Sequence, residues 1–249
     1  MILGIVVAAL GGCIAGSLGM LVAQRLSGDA PARAGGPSCE HCAHAIRRGD
    51  LIPVVSWLWL RGRCRDCAEP IARRHVVVEA GTGSVFAAVA VAADGADLVL
   101  GLVLVAVLVP LALIDLDTRR LPNAITLPAA VAAIVLGTLL DPGGELGRLL
   151  AGVLGGGFLL LAALAFPRGM GLGDVKLAAV LGLFLGRAVA AALLVALVAG
   201  VLAGIAIIAR KGAADGRRTA IAFGPFLALG GACALLFGNA LVDAYLATF

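Results

Sequence analysis

The feature that most limits this chain is its repeated return to apolar runs long enough to cross a bilayer. The first, Met1–Ala23, carries no charged residue. About 20 apolar residues span the hydrocarbon core as a helix, which satisfies every backbone polar group internally. Further runs follow at Val76–Ala93, Leu98–Ile114, Asn123–Leu140, Leu146–Phe166, Val175–Gly186, Ala188–Ala209 and Ala220–Ala247. Val175–Gly186 is short for a full crossing. The residues are 61% hydrophobic and 14% charged, against about 45–50% and about 25% in a soluble domain. That much apolar surface exceeds what one core of this size could bury. The expected fold class is all-α: a polytopic membrane helix bundle of about eight spans. The first run reads as a retained span, because no basic segment precedes it and Arg25 follows it.

Charge placement orients the bundle. If the N-terminus lies outside, the inside connections are Gln24–His75, Asp115–Pro122, Pro167–Asp174 and Arg210–Thr219. With Lys176 just beyond the third, they hold all but Arg148 and Arg187 of the 19 basic residues. Basic residues collect on the cytoplasmic side, so this asymmetry supports both the orientation and the span count. Three parts are expected: a first span (1–23), a cytoplasmic insert (24–75) and a membrane-embedded bundle (76–249).

The insert carries Cys39, Cys42, Cys64 and Cys67, two residues apart within each pair and twenty-one between the pairs. This spacing suits four thiolates around one Zn²⁺; an iron–sulfur or redox use is the alternative. A cytoplasmic setting keeps thiols reduced and disfavours disulfides. His41 and His44 flank the first pair as alternative ligands, although four cysteines already complete a closed, structural site. Such a site is expected to staple an insert with little core of its own. Its one apolar stretch, Leu51–Trp59, either forms a small core or rests on the membrane interface. Cys13 and Cys233 lie within apolar runs and are expected to pack as small residues.

Carboxylates at the edge of a span are costly and are functional candidates by default. Asp115 and Asp117 close the third run, and Asp174 opens the sixth after Gly171 and Gly173. Asp174 could simply cap a helix, and Asp115 could pair with Arg119 one turn away. A carboxylate at a helix C-terminus, however, opposes the dipole, so capping does not explain the first pair. Glu79, early in the second run, is a further candidate. The glycines before Asp174 do not form a nucleotide loop, since no strand precedes them and no Lys-Ser/Thr follows. Two aspartates brought together share a proton: one activates water while the other protonates the scissile carbonyl. No Ser–His arrangement or HExxH competes with them.

Several motifs, in order, carry a family resemblance. They are Gly16-Ser17, the four cysteines, Ile52-Pro53-Val54-Val55-Ser56-Trp57, Leu60-Arg61-Gly62-Arg63-Cys64, Ile114-Asp115-Leu116-Asp117 with Leu121-Pro122-Asn123, and Gly171-Leu172-Gly173-Asp174-Val175-Lys176-Leu177. With them the chain resembles the bacterial type IV prepilin peptidases, also called prepilin leader peptidase/N-methyltransferases. The resemblance implies an inner-membrane aspartyl protease that cuts prepilins and pseudopilins after a glycine at the cytoplasmic face. It maps the catalytic pair onto Asp115 and Asp174, with Asp117 as second choice and Gly171, Gly173 and Lys176 in support. It also implies methylation of the new N-terminus from S-adenosylmethionine. Met20-Leu21-Val22-Ala23-Gln24-Arg25-Leu26 departs from the family pattern, which reads closer to Asn-Val-x-x-Tyr-Arg-Leu-Pro. The partners implied are the pilin substrate and the bilayer, with no nucleic acid. A zinc-anchored membrane scaffold or transporter, and a presenilin-like protease cutting within helices, are the other readings.

Overall fold

The computed structural model describes residues 2–28, 38–39, 41–166, 170–212 and 221–248. Of the basic residues used for orientation, Arg33, Arg168, Arg217 and Arg218 lie outside them. The described residues are mostly helical, with no sheet beyond two isolated bridges. The helices are α1 (Ile2–Ser27), α2 (Val55–Trp59), α3 (Arg73–Ala92), α4 (Gly95–Thr118), α5 (Asn123–Leu140), α6 (Glu145–Ala165), α7 (Leu172–Leu185), α8 (Val189–Lys211) and α9 (Gly224–Leu246). The chain divides into two compact units, Met1–Val91 and Ala92–Phe249.

In the first unit, α1 and α3 approach closely because small residues face each other. A Cβ on Gly83 would lie 2.6 Å from the Cys13 sulfur and 3.0 Å from the Ala9 carbonyl. Cys13 is thus a packing residue of this seam. Glu79 of α3 is buried here. Its carboxylate accepts from the Ser17 hydroxyl of α1, and from the Val54 backbone N–H of the insert at 2.7 Å. One carboxylate thereby ties both spans to the insert, holding Val54 at a positive φ of 62°, a costly conformation for a β-branched residue.

In the second unit α4 is the most enclosed span. Leu100, Leu104, Leu108 and Leu111 line its buried face and share one core with Leu177 and Leu181 of α7, Leu159 of α6 and Leu227 of α9. Most leucines and valines elsewhere on the spans are exposed, as lipid-facing side chains are.

Seven helical stretches are long and apolar enough to cross a membrane, against about eight expected. The difference is Leu172–Lys211, a 40-residue stretch. At 1.5 Å per residue it would measure about 60 Å, twice the hydrocarbon thickness. It is broken by a one-turn 3₁₀ segment at Gly186–Ala188, which Gly186 opens at φ 55°. Against α9, Leu181 meets Gly231 and Ala188 meets Gly238; the chain then returns, with Ala192 at Gly230 and Gly200 at Phe223. So α7 runs parallel to α9 and α8 antiparallel to it. The single stretch is two helices of opposite sense, which restores the eight-helix reading, with the short α7 as the sixth.

Among the described residues the one buried arginine, Arg148 of α6, shows how such a bundle tolerates charge. It donates to Asp141 at 2.8 Å, to Glu145 at 3.2 Å and to the carbonyls of Gly137 and Asp141. The guanidinium in turn holds the Asp141 carboxyl below the usual carboxylate range. Every part of this charge is answered locally, and the cluster locks the α5–α6 turn.

Candidate active site

Asp115 sits in the last turn of α4. The helix stops just beyond it because Arg119 adopts a left-handed cap, φ 54°, whose N–H returns to the Asp115 carbonyl. Leu121-Pro122 then leads into α5. Asp115 is 5% exposed, while Asp117 is exposed. Two residues on a helix differ by about 200° in direction, so the two carboxylates leave α4 on opposite sides. Asp115 points into the bundle.

There it meets the start of α9. The Gly224 N–H donates to Asp115 Oδ2 at 2.7 Å. The first amides of a helix have no intrahelical acceptor and mark its positive end, so this carboxylate replaces water at that end. A Cβ on residue 224 would lie 2.7 Å from Asp115 Oδ2 and 3.0 Å from its Cγ. Only glycine lets the two elements approach this closely.

Asp174 occupies the first turn of α7 and is 9% exposed. Its Oδ2 accepts from the Gly171 N–H at 3.2 Å, so it acts from the third position inside the helix and the N-cap is Gly171, not Asp174. The two motifs that carry these aspartates are fitted to each other. A Cβ on Gly173 would lie 3.0 Å from the Leu121 Cβ, and Lys176 Nζ donates to Asn123 Oδ1 at 2.9 Å. Gly171 is looser, because a Cβ there would meet nothing closer than Asp174 Oδ2 at 3.5 Å. Asp115, Asp174, Gly171, Gly173 and Lys176 are therefore gathered at one end of α4, α5, α7 and α9. Asp117 leaves the same helix end on its outer side.

Gly224 is the member that the motif reading missed. Its only signal was Gly224-Pro225 at the head of the last apolar run, which reads equally well as an ordinary helix start.

In the first unit the four cysteines come together, with their sulfurs all within 4.8 Å of one another. The two pairs are built alike. Cys39 N–H bonds the His44 carbonyl and Cys64 N–H that of Glu69; Ala43 and Ala68 each return an N–H to the first cysteine and take positive φ. The amides of Cys42 and His41 lower the Cys39 thiol to about 6. At Cys67 the pull of the Glu69 amide is outweighed by burial and by the three neighbouring thiols, which push it up to about 12. Four thiolates cannot coexist here without a cation, so the cluster could hold one metal ion. The histidines stand apart from the cluster: His41 lies 3.5 Å from Glu69, and His44 is exposed.

Two family models match the chain: the bacterial peptidase A24 N-terminal domain over residues 10–93, and the type IV leader peptidase family over residues 102–208. Among curated proteins it is 40% identical, over 85% of its length and 74% of the relative's, to the prepilin leader peptidase/N-methyltransferase of Aeromonas hydrophila. It is 36% identical to the protein of that name in Burkholderia pseudomallei strain K96243, over 81% of this chain and 67% of the other. For Stutzerimonas stutzeri the identity is 34%, over 84% and 74%. No solved structure matches.

Substituting Gly224 by alanine is expected to push Asp115 from its place. Turnover in any reaction that Asp115 carries should fall about a hundredfold, as for a misplacement near 1 Å, with thermal stability in detergent little changed. Wild-type turnover would show that the contact is incidental.

Proposed function

Because the chain belongs to the type IV leader peptidase family, we propose that it cleaves the leader from type IV prepilins or pseudopilins through Asp115 and Asp174. The observation that carries the reading is that these two carboxylates are buried at the same end of the bundle, each held by a backbone amide, where their motifs pack on each other. Like charges at close range favour one shared proton. The ionised carboxylate takes a proton from water as its oxygen attacks the scissile carbonyl, and the protonated one donates to the developing oxyanion. Collapse of the tetrahedral intermediate returns a proton to the leaving amine and breaks the C–N bond. Gly171 and Gly173 leave room for an extended substrate backbone beside Asp174, and Lys176 braces the turn through Asn123.

The proteolytic chemistry belongs to 76–249 and the metal-binding insert to 24–75. Charge asymmetry supports an inner-membrane orientation with the N-terminus outside, and the insert and both aspartates at the cytoplasmic face. Cleavage follows a glycine, as in the family. N-methylation of the new terminus comes with the family too. The sequence carries no glycine-rich loop of the usual methyltransferase kind, so methyl transfer is assigned to no side chain.

Cleavage of a prepilin by the chain in nanodiscs, followed by mass spectrometry, tests the reading. Asp115→Ala and Asp174→Ala should each abolish product, while Asp117→Ala keeps at least a tenth of the activity. Normal cleavage by either of the first two overturns the assignment.

The metal of the insert is Zn²⁺ in this reading, in a closed structural role. Tetrahedral bonds of about 2.3 Å place sulfurs about 3.8 Å apart, and Cys39 and Cys67 stand at 3.8 Å. Purified chain should contain one zinc, and Cys64→Ser should lose it and unfold at lower temperature. A metal-free chain of unchanged stability and activity contradicts this role.

A further inference from the structure

The insert presents its apolar stretch in two directions. Trp57 faces inward: a Cβ on Gly62 would lie 2.7 Å from its ring, and its indole N–H points to the Ile71 carbonyl at 3.5 Å. Val55, Leu58 and Trp59 share the other face of α2 at the i, i+3, i+4 spacing, and they are exposed, Trp59 at 79% and Leu58 at 61%. Leu51 and Ile52 extend the same exposed apolar run. The rest of the insert is rich in arginine, with nine of the chain's seventeen falling between residues 24 and 75, and that segment holds all three histidines. A tryptophan so exposed is out of place in water.

The Glu79 bond fixes the depth of this patch. Glu79 lies six residues into α3, about 9 Å along it, and the apolar run of that span opens at Val76. Side chains lean toward a helix N-terminus, so the Val54 N–H bonded to Glu79 lies about level with Val76. Val54 is the residue that leads into α2. The patch is thus held where a span of the same unit enters the hydrocarbon. At that level α1 and α3 also expose apolar side chains, Leu18 and Val77 among them. Arg61 and Arg63, just beyond Trp59, are exposed and suit anionic headgroups.

We propose that the Leu51–Trp59 face of the metal-binding insert is embedded in the bilayer interface, with Trp59 and Leu58 as its anchors. Tryptophan suits this layer, and an apolar helix face sinks about 5–10 Å into it. The insert is then held to the membrane by Glu79 on one side and by lipid on the other. The metal cluster cannot swing away as a free soluble domain. The inference rests on the spans of the first unit and is independent of the proteolytic reading.

Trp57 and Trp59 are the chain's two tryptophans, so Trp59 can be read alone. The full chain is placed in nanodiscs of ordinary phospholipid, or of phospholipid brominated on its acyl chains near the headgroup. Trp59 emission is obtained from Trp57→Phe, and independently as the difference between wild type and Trp59→Phe. Bromolipid should remove at least half of it, while aqueous iodide quenches little. Quenching by iodide but not by bromolipid overturns the proposal in favour of a solvated face. Protection from both overturns it in favour of a protein partner.

Discussion

Two carboxylates are buried at the ends of apolar helices, and the second unit is arranged around answering them. A buried carboxylate needs donors, and a membrane bundle offers few side-chain ones. Here both come from backbone: the Gly224 amide at the head of α9 for Asp115, and the Gly171 amide at the head of α7 for Asp174. Two helix starts must converge on the end of α4, which demands glycine where the elements touch. Among the described residues no side-chain cation forms a direct ion pair with Asp115 or Asp174, as the proposed acid–base role requires.

Arg148 makes the contrast. It too is charged and buried, but both of its carboxylate partners and two carbonyls are within its own helical hairpin. Glu79 is a second contrast, spending its two oxygens on Ser17 and Val54 to join spans and insert. Among the described residues burial of charge therefore has three forms: a lock at Arg148, a tie at Glu79, and two carboxylates held by backbone amides alone at the proposed site. The partners of each charge distinguish them.

Much of this was legible beforehand. Apolar runs located the spans, since bilayer thickness imposes a length that composition alone can meet. The cysteine spacing foretold the cluster because each pair is a local loop. Asp115 and Asp174 stood out as carboxylates where few belong. The rest depended on distant contacts that carry no local signature. Gly224 reads as a helix start until Asp115, more than a hundred residues away, is seen against it. The opposite directions of Asp115 and Asp117 depend on which face of α4 is buried, and an almost uniformly apolar span does not say. The break at Gly186 hides inside one continuous apolar stretch, and Glu79 gave no hint of the insert residue it holds.

The central claim is that Asp115 and Asp174 act as one unit, and a double-mutant cycle measures that most directly. Single-turnover prepilin cleavage would be compared for wild type, Asp115→Asn, Asp174→Asn and the double variant. Groups that share one proton lose their function together, so the double variant should be no slower than either single. Two losses that multiply, or a single variant at the wild-type rate, would contradict the account.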